Sequence, residues 1–343
     1  MLAPLSALYG RAVLARRRRA EARPASRRRL GRPVISIGNL AVGGSGKTPF
    51  TRWLASWLLS QHHRPSILSR GYGRVSPDHA VVIVSDGEHV LADVSRAGDE
   101  PLMLAQTVRG AAVLVCADRH RAGQVAESQL GCTVHLLDDG FQHLRLNRQI
   151  DLLLLDERDI EDRVLPAGRL REPLEAARSA DAILWTGTAD AADVAARLGV
   201  GAAFNLRRTS GPLTTLTAGE PPPRPGTPVV AVAGIARPDR FFDELRADGL
   251  DVRARLSYRD HHPYSADDLR RIRRTLDANR ADVVVTTEKD IVRLRPLGPL
   301  PFAVAWRRVD VMPQHVDAFC AWLDARLESA ARAVASRSGE PVA

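Results

Sequence analysis

The stretch Ile35-Ser36-Ile37-Gly38-Asn39-Leu40-Ala41-Val42-Gly43-Gly44-Ser45-Gly46-Lys47-Thr48 decides the fold. An apolar run enters a glycine-rich turn, and Gly-Lys-Thr then opens a helix. Glycines let successive backbone N–H groups point into one concavity, and a helix N-terminus adds positive potential there. The pattern predicts a phosphate cradle made by Gly43, Gly44, Ser45, Gly46, Lys47 and Thr48. Lys47 is placed to neutralise the β- and γ-phosphates of ATP during transfer, and the Thr48 hydroxyl to ligate Mg²⁺. The usual first glycine of G-x-x-x-x-G-K-T is Ala41 here, so the strict pattern is not met.

A phosphate loop needs a carboxylate for its metal. His135-Leu136-Leu137-Asp138-Asp139-Gly140 ends an apolar strand in two acids, making Asp138 and Asp139 the candidates, with no ground for choosing between them. Further apolar runs at Val34–Ile37, Val81–Val84, Val113–Val115, Val134–Leu137, Leu152–Leu155 and Ile183–Trp185 alternate with helix-like stretches. After a Pro-, Gly- and Thr-rich stretch they resume at Val229–Val232, Val252–Leu256, Val283–Thr286 and Phe302–Trp306. Such runs read as buried strands of a mostly parallel sheet. The expected architecture is α/β: a P-loop NTPase-like α/β/α sandwich, a second, smaller α/β domain, and an N-terminal amphipathic helix. The expected boundaries are 1–30 for a basic membrane-interface segment, 31–210 for the P-loop domain, 211–228 for a linker, 229–330 for the smaller domain and 331–343 for a disordered tail.

Charge sharpens this division. Residues 1–32 hold ten arginines against Glu21, a difference of +9 that equals the net charge of all 343 residues. The remainder is formally neutral, which argues against a basic nucleic-acid-binding body. Leu2, Leu5, Tyr9, Ala12 and Val13 recur at helical spacing before the arginines. This order is the reverse of a signal peptide. It fits a helix lying in a membrane interface with its arginines on anionic headgroups, or a disordered basic tail. No apolar run reaches the ~18 residues of a membrane-spanning helix. Three scattered cysteines suit a reducing compartment. The chain has only two lysines, Lys47 and Lys289.

Other polar clusters read two ways on spacing alone. Asp99 in Gly98-Asp99-Glu100-Pro101 suits a helix cap, or a base for an attacking hydroxyl. Asp260-His261-His262 suits a surface loop or a ligand pair. Arg70 in Ser69-Arg70-Gly71-Tyr72-Gly73, and Arg169 and Arg171 in Leu165–Pro173, suit anion contacts or surface turns.

Together these blocks resemble the tetraacyldisaccharide 4′-kinase family, the lipid A 4′-kinases of Gram-negative bacteria. The resemblance runs in order through Gly38–Leu40, Val42–Pro49, Ser69–Gly73, Gly98–Pro101, Asp138-Asp139-Gly140-Phe141-Gln142-His143, Leu165–Glu172, Asp260–His262 and Thr287-Glu288-Lys289-Asp290. It implies ATP- and Mg²⁺-dependent transfer to the 4′-hydroxyl of a tetraacylated glucosamine disaccharide 1-phosphate. It also implies two α/β/α domains with the site between them, on the cytoplasmic face of the bacterial inner membrane. Asp99 and His261 match the family's base dyad, with Asp99 the candidate to accept the proton and His261 orienting it or sharing the proton. Arg70, Gln142, His143, Arg169 and Arg171 become candidate substrate contacts. No nucleic acid and no obligate protein partner are implied. Gly234-Ile235-Ala236-Arg237-Pro238 departs from the family's usual Gly-Ile-Gly-Asn-Pro. The rival is a regulatory P-loop GTPase or metallochaperone-type NTPase, but a guanine-reading Asn-Lys-x-Asp is absent.

Overall fold

The structure, a computed structural model, describes residues 2–44, 46–71, 80–217 and 219–338. Its strands are β1 (Val34–Asn39), β2 (Pro65–Ser69), β3 (Val82–Ser85), β4 (Ala112–Val115), β5 (Val134–Asp138), β6 (Ile150–Leu155), β7 (Ala182–Trp185), β8 (Ala203–Thr215), β9 (Pro228–Ala233), β10 (Asp251–Ser257), β11 (Val283–Thr287) and β12 (Ala303–Pro313). Its helices are α1 (Ala3–Glu21), α2 (Lys47–Ser60), α3 (Val94–Ala97), α4 (Asp99–Thr107), α5 (Arg119–Leu130), α6 (Glu157–Glu161), α7 (Ala191–Leu198), α8 (Pro238–Ala247), α9 (Ala266–Ala278), α10 (Glu288–Leu294) and α11 (Val316–Ser338).

The strands follow the order β10-β9-β11-β12-β8-β7-β6-β1-β5-β2-β4-β3. Pairings are parallel except β3 with β4 and β8 with β12. β1 is buried along its whole length because neighbours cover both faces. Ile35 and Ile37 pack on the side of α2, where Phe50, Leu54 and Leu58 recur at i, i+4, i+8. Burying each such side chain is worth about 2 kcal/mol, which makes this stripe what holds the phosphate-loop helix to its strand.

β8 joins the two halves of the sheet. It pairs with β7 over residues 203–205 only, then turns antiparallel to β12 from Leu206 to Thr215. Three differences from the expected boundaries follow. Residues 211–215 continue a strand rather than open a linker, because Gly211 and Pro212 sit on a two-stranded ribbon whose other side has no ladder to break. The chain's last helix also returns to the first half: Phe319, Leu323 and Leu327 of α11 enter the core around β1, and Phe319 meets Phe204 edge-on at 5.0 Å between ring centres. Residues 331–338, expected to be disordered, belong to that helix.

The N-terminal helix forms, and Leu2, Leu5, Tyr9 and Ala12 of the expected stripe are exposed, with Leu8 beside them. Leu5 is 56% and Leu8 68% exposed. Ser6, Gly10 and Arg17 face the body. Arg17, read from sequence as part of the basic cluster, is only 2% exposed. Its Nε donates to Glu172 at 2.6 Å, its Nη2 donates to the Phe141 carbonyl at 3.0 Å, and its guanidinium lies 4.2 Å from the Phe141 ring centre. A buried charge persists only when paired, so α1 is bolted to the body. Beyond Glu21 the chain stays on the body, where Arg28 bridges to Leu146.

Candidate active site

The phosphate end is built from backbone. β1 delivers Asn39 to the turn, and Gly46 starts α2 at φ 87°, with Gly43 at φ 104°. Those values favour glycine. Gly38 cannot carry a side chain at all, since a Cβ there would lie 2.4 Å from that of Phe141. Ala41 is tolerated because its position is strand-like. It bridges to Leu170, while Val42 N–H donates to the Arg169 carbonyl at 2.9 Å. Ser45 lies outside the described residues, as do Tyr72 and Gly73. Lys47 Nζ donates to Asn39 Oδ1 at 2.8 Å and stands 3.4 Å from Asp139.

Parallel pairing of β1 with β5 sets Ile37 beside Asp138, which brings the acids to the loop. The two neighbours then diverge. Arg171 grips Asp139 through two nitrogens, at 2.9 and 2.8 Å. Burial resists ionisation of Asp139, but Lys47 and Arg171 outweigh it and hold the carboxyl below its usual range. Asp138 receives a hydrogen bond from Thr51 at 3.2 Å. Burial, then Glu100 and Asp139, push it up to about 7.

The base end is built from side chains of distant segments. His261 Nδ1 lies 3.0 Å from each oxygen of Asp99. Asp99 opens α4, but Gly98 is the cap and offers no side-chain bond, so the cap reading of Asp99 is set aside. Arg293 Nε donates to Asp99 at 3.0 Å and Nη2 donates to the same oxygen. Burial opposes the charge on Asp99, yet His261, Lys289 and Arg293 together hold its carboxyl well below the usual range. His261 adopts φ 58° and Asp139 φ 57°. Non-glycine residues enter that region at a cost and gather at functional sites, although His62 and Arg280 do so as well. His262 points elsewhere, to Asp268 at 3.1 Å and onto the Tyr258 ring.

Both ends line one cavity of about 1360 Å³. Gly43, Gly44, Gly46, Lys47, Thr48, Asp138, Asp139, Arg70, Gln142, His143, Arg171 and His261 reach it. Asp99 does not line it, nor does Arg169, which is turned to Asp162 at 2.6 Å. Arg171 reaches it but is held by Asp139. His143 is kept neutral, pushed down to about 4 by burial and then by Arg119. Sequence reading missed Arg119, whose Nε is buried without a hydrogen-bond partner among the described residues, like Gln142 Oε1. Burial and then Arg70 push that guanidinium down to about 10. It also missed Arg293. Lys289 stands out in the sequence by the rarity of lysine and by its place in Thr287-Glu288-Lys289-Asp290, neither of which assigns it a role.

A model of the family described as tetraacyldisaccharide-1-P 4′-kinase (LpxK) matches residues 1–328. A relative named tetraacyldisaccharide 4′-kinase from Pelobacter propionicus is 43% identical over 304 residues, covering 86% of this chain and 82% of that protein. Its namesake from Bradyrhizobium sp. (strain ORS 278) is 39% identical over 98% of this chain and 93% of its own. The solved structure of Aquifex aeolicus LpxK in complex with ATP superposes with a TM-score of 0.75 at 31% identity, covering 95% of this chain and 98% of that one. With the phosphate loop, the paired acids and His261 in one cleft, the chain belongs to the tetraacyldisaccharide-1-P 4′-kinase family.

Proposed function

We propose that this chain transfers the γ-phosphate of ATP to the 4′-hydroxyl of a tetraacylated glucosamine disaccharide 1-phosphate, a lipid A precursor. The observation that carries this reading is the opening of the phosphate loop and of His261, with Asp99 behind it, onto the same cavity. ATP phosphates sit on the backbone of the glycine turn with Lys47, and Arg119 Nε, buried and unpartnered among the described residues, offers a further donor to an anion. In the transfer a bond forms between the sugar oxygen and the γ-phosphorus while the bond to the ADP oxygen breaks. The hydroxyl proton passes to His261, which lines the cavity, and Asp99 behind it holds the ring. This keeps the expected dyad but moves the proton from Asp99, the candidate acceptor, to His261. Asp99 is out of the cavity and already neutralised by Arg293, which makes it a poor proton acceptor.

The residues present fit Mg²⁺. Thr48 and Asp138 supply hard oxygens, and Asp138 is a buried carboxylate whose high affinity for a proton marks a place for a cation. Thr48 and Asp138 would hold the ion, with Asp139 committed to Arg171 and Lys47. The ion would neutralise charge on the phosphates. Among the described residues no cluster of three or more His, Cys, Asp or Glu forms a metal cage, consistent with an ion that takes its other ligands from phosphate and water. The regulatory NTPase reading finds no support, since Lys289 and Asp290 turn to His261 and Tyr264 instead of presenting a base-reading pair.

No described helix is long and apolar enough to cross a membrane. The outward Leu2, Leu5, Leu8 and Tyr9 with the flanking arginines favour docking on the anionic cytoplasmic face of the inner membrane. Transfer of ³²P from γ-labelled ATP to the lipid disaccharide, read by thin-layer chromatography, tests the activity. No labelled lipid would defeat it. A Leu5→Glu, Leu8→Glu variant that still sediments with anionic vesicles would defeat the docking surface.

A further inference from the structure

Thr287-Glu288-Lys289-Asp290 sits at a junction of four segments. Glu288 is buried against Arg52 of α2 at 2.6 Å. Asp290 accepts hydrogen bonds from Gly234 N–H at 3.0 Å, Tyr264 at 3.1 Å and Thr287 at 2.6 Å. Both neighbours of Lys289 are therefore fixed, and the lysine is presented to the cavity from a rigid turn of helix. Its Nζ lies 3.0 Å from Glu100 Oε1, 3.0 Å from Asp260 Oδ1 and 3.1 Å from His261 Nε2.

An ammonium carries three donors and no acceptor. Each of the three contacts takes one N–H, so His261 Nε2 must be the acceptor and its proton must sit on Nδ1, facing Asp99. We propose that Lys289 is a positioning residue for the base: it fixes His261 in the Nδ1–H tautomer and keeps Nε2 unprotonated until the sugar hydroxyl takes its place there. The ammonium then keeps Glu100 and Asp260, and Nε2 accepts the hydroxyl proton. This rests on His261 being the proton acceptor. The charges facing the ring are Asp99 on one side and Lys289 and Asp260 on the other, with Asp260 at 3.8 Å. Arg293 and Glu100 stand one partner further out. Burial works against the ammonium, but Glu100, Asp99 and Asp260 raise it beyond the usual lysine range, so it stays charged throughout the assay range.

A cation beside a ring nitrogen opposes protonation there. In Lys289→Gln the ring takes a proton more readily, and the acidic limb of kcat/KM against pH moves to higher pH by about 1 unit or more. The loss is about 10-fold at the foot of that limb and fades at alkaline pH. Lys289→Arg keeps the charge and leaves the limb in place, even where misplacement of the larger head lowers kcat. Thermal melts accompany each variant. If Lys289→Gln fails to fold, the Arg variant still decides, since a displaced limb in it overturns the proposal. An equal loss at every pH in Lys289→Gln also overturns it and leaves the lysine a structural or phosphate contact. His261→Ala separates the two readings. If its residual activity keeps the wild-type limb, His261 is not the acceptor and the base assignment itself falls.

Discussion

The two ends of the cleft are made differently. The phosphate end is nearly one segment: β1, the glycine turn and the start of α2 supply it, with Asp138 and Asp139 from the adjacent strand. Its turn holds Gly43 and Gly46 at positive φ, and conformation dictates its residue types. The base end is four side chains from three places, with Asp99 separated from His261 by 162 positions and from Arg293 by 194. There charge dictates the residue types. A site of backbone tolerates little change in φ, whereas a site of paired charges tolerates little change in any one partner.

The strongest way to break this comparison is at the base end. Asp99→Ala and His261→Ala should each lower kcat by about 10²–10⁴-fold, with the double variant little worse than the poorer single. KM for ATP should stay near wild type. A double variant that multiplies the two losses would mean that the pair does not act as one unit.

At the phosphate end Lys47→Met should lower kcat by about 10²–10³-fold, and Lys47→Arg should not rescue, since a guanidinium is a planar fork rather than a point charge. Combined with His261→Ala the losses should multiply, because Lys47 is held by Asn39 and Asp139 whereas His261 is held by Asp99 and Lys289. Marked non-additivity in that double-variant cycle would show the two ends to be coupled.

Arg52 tests the joint between them. It reaches Glu288 and Asp310 from α2, and its loss leaves Glu288 buried and unpaired. Arg52→Met should cost about 3 kcal/mol in stability, seen in denaturant melts. The Arg52→Met, Glu288→Gln double variant should recover most of it. A single variant as stable as wild type would show that the buried pair does not hold the halves together.

The smallest effect concerns His143, beside the paired acids. Its folded-state pKa, about 4, lies below the ~6.5 of an unfolded histidine. The unfolded chain therefore binds a proton first as pH falls, and stability drops between roughly pH 6.5 and 4. This amounts to about 2 kcal/mol. His143→Asn should flatten Tm against pH over that window, and an unchanged slope would assign the loss to other groups.

Local chemistry in the sequence was enough to determine the phosphate end. A strand, a glycine turn and Lys47-Thr48 prescribe one backbone path, and apolar runs mark strands buried on both faces. β2 escaped because Pro65-Ser66-Ile67-Leu68-Ser69 carries only two apolar residues in line. β8 escaped because it is mostly polar, with Arg207-Arg208-Thr209-Ser210 in its middle and Gly211 and Pro212 imitating a loop. Charge counting also misled at Arg17: composition places ten arginines near one end but cannot say which one turns inward to Glu172. Resemblance named Asp99 and His261, but which of them meets the cavity was decided only when α10 brought Arg293 and Lys289 against them. The reason is physical. A turn's conformation depends on the residues within it, whereas a carboxylate's role depends on which charges the fold places within a few ångströms, and sequence spacing does not record that.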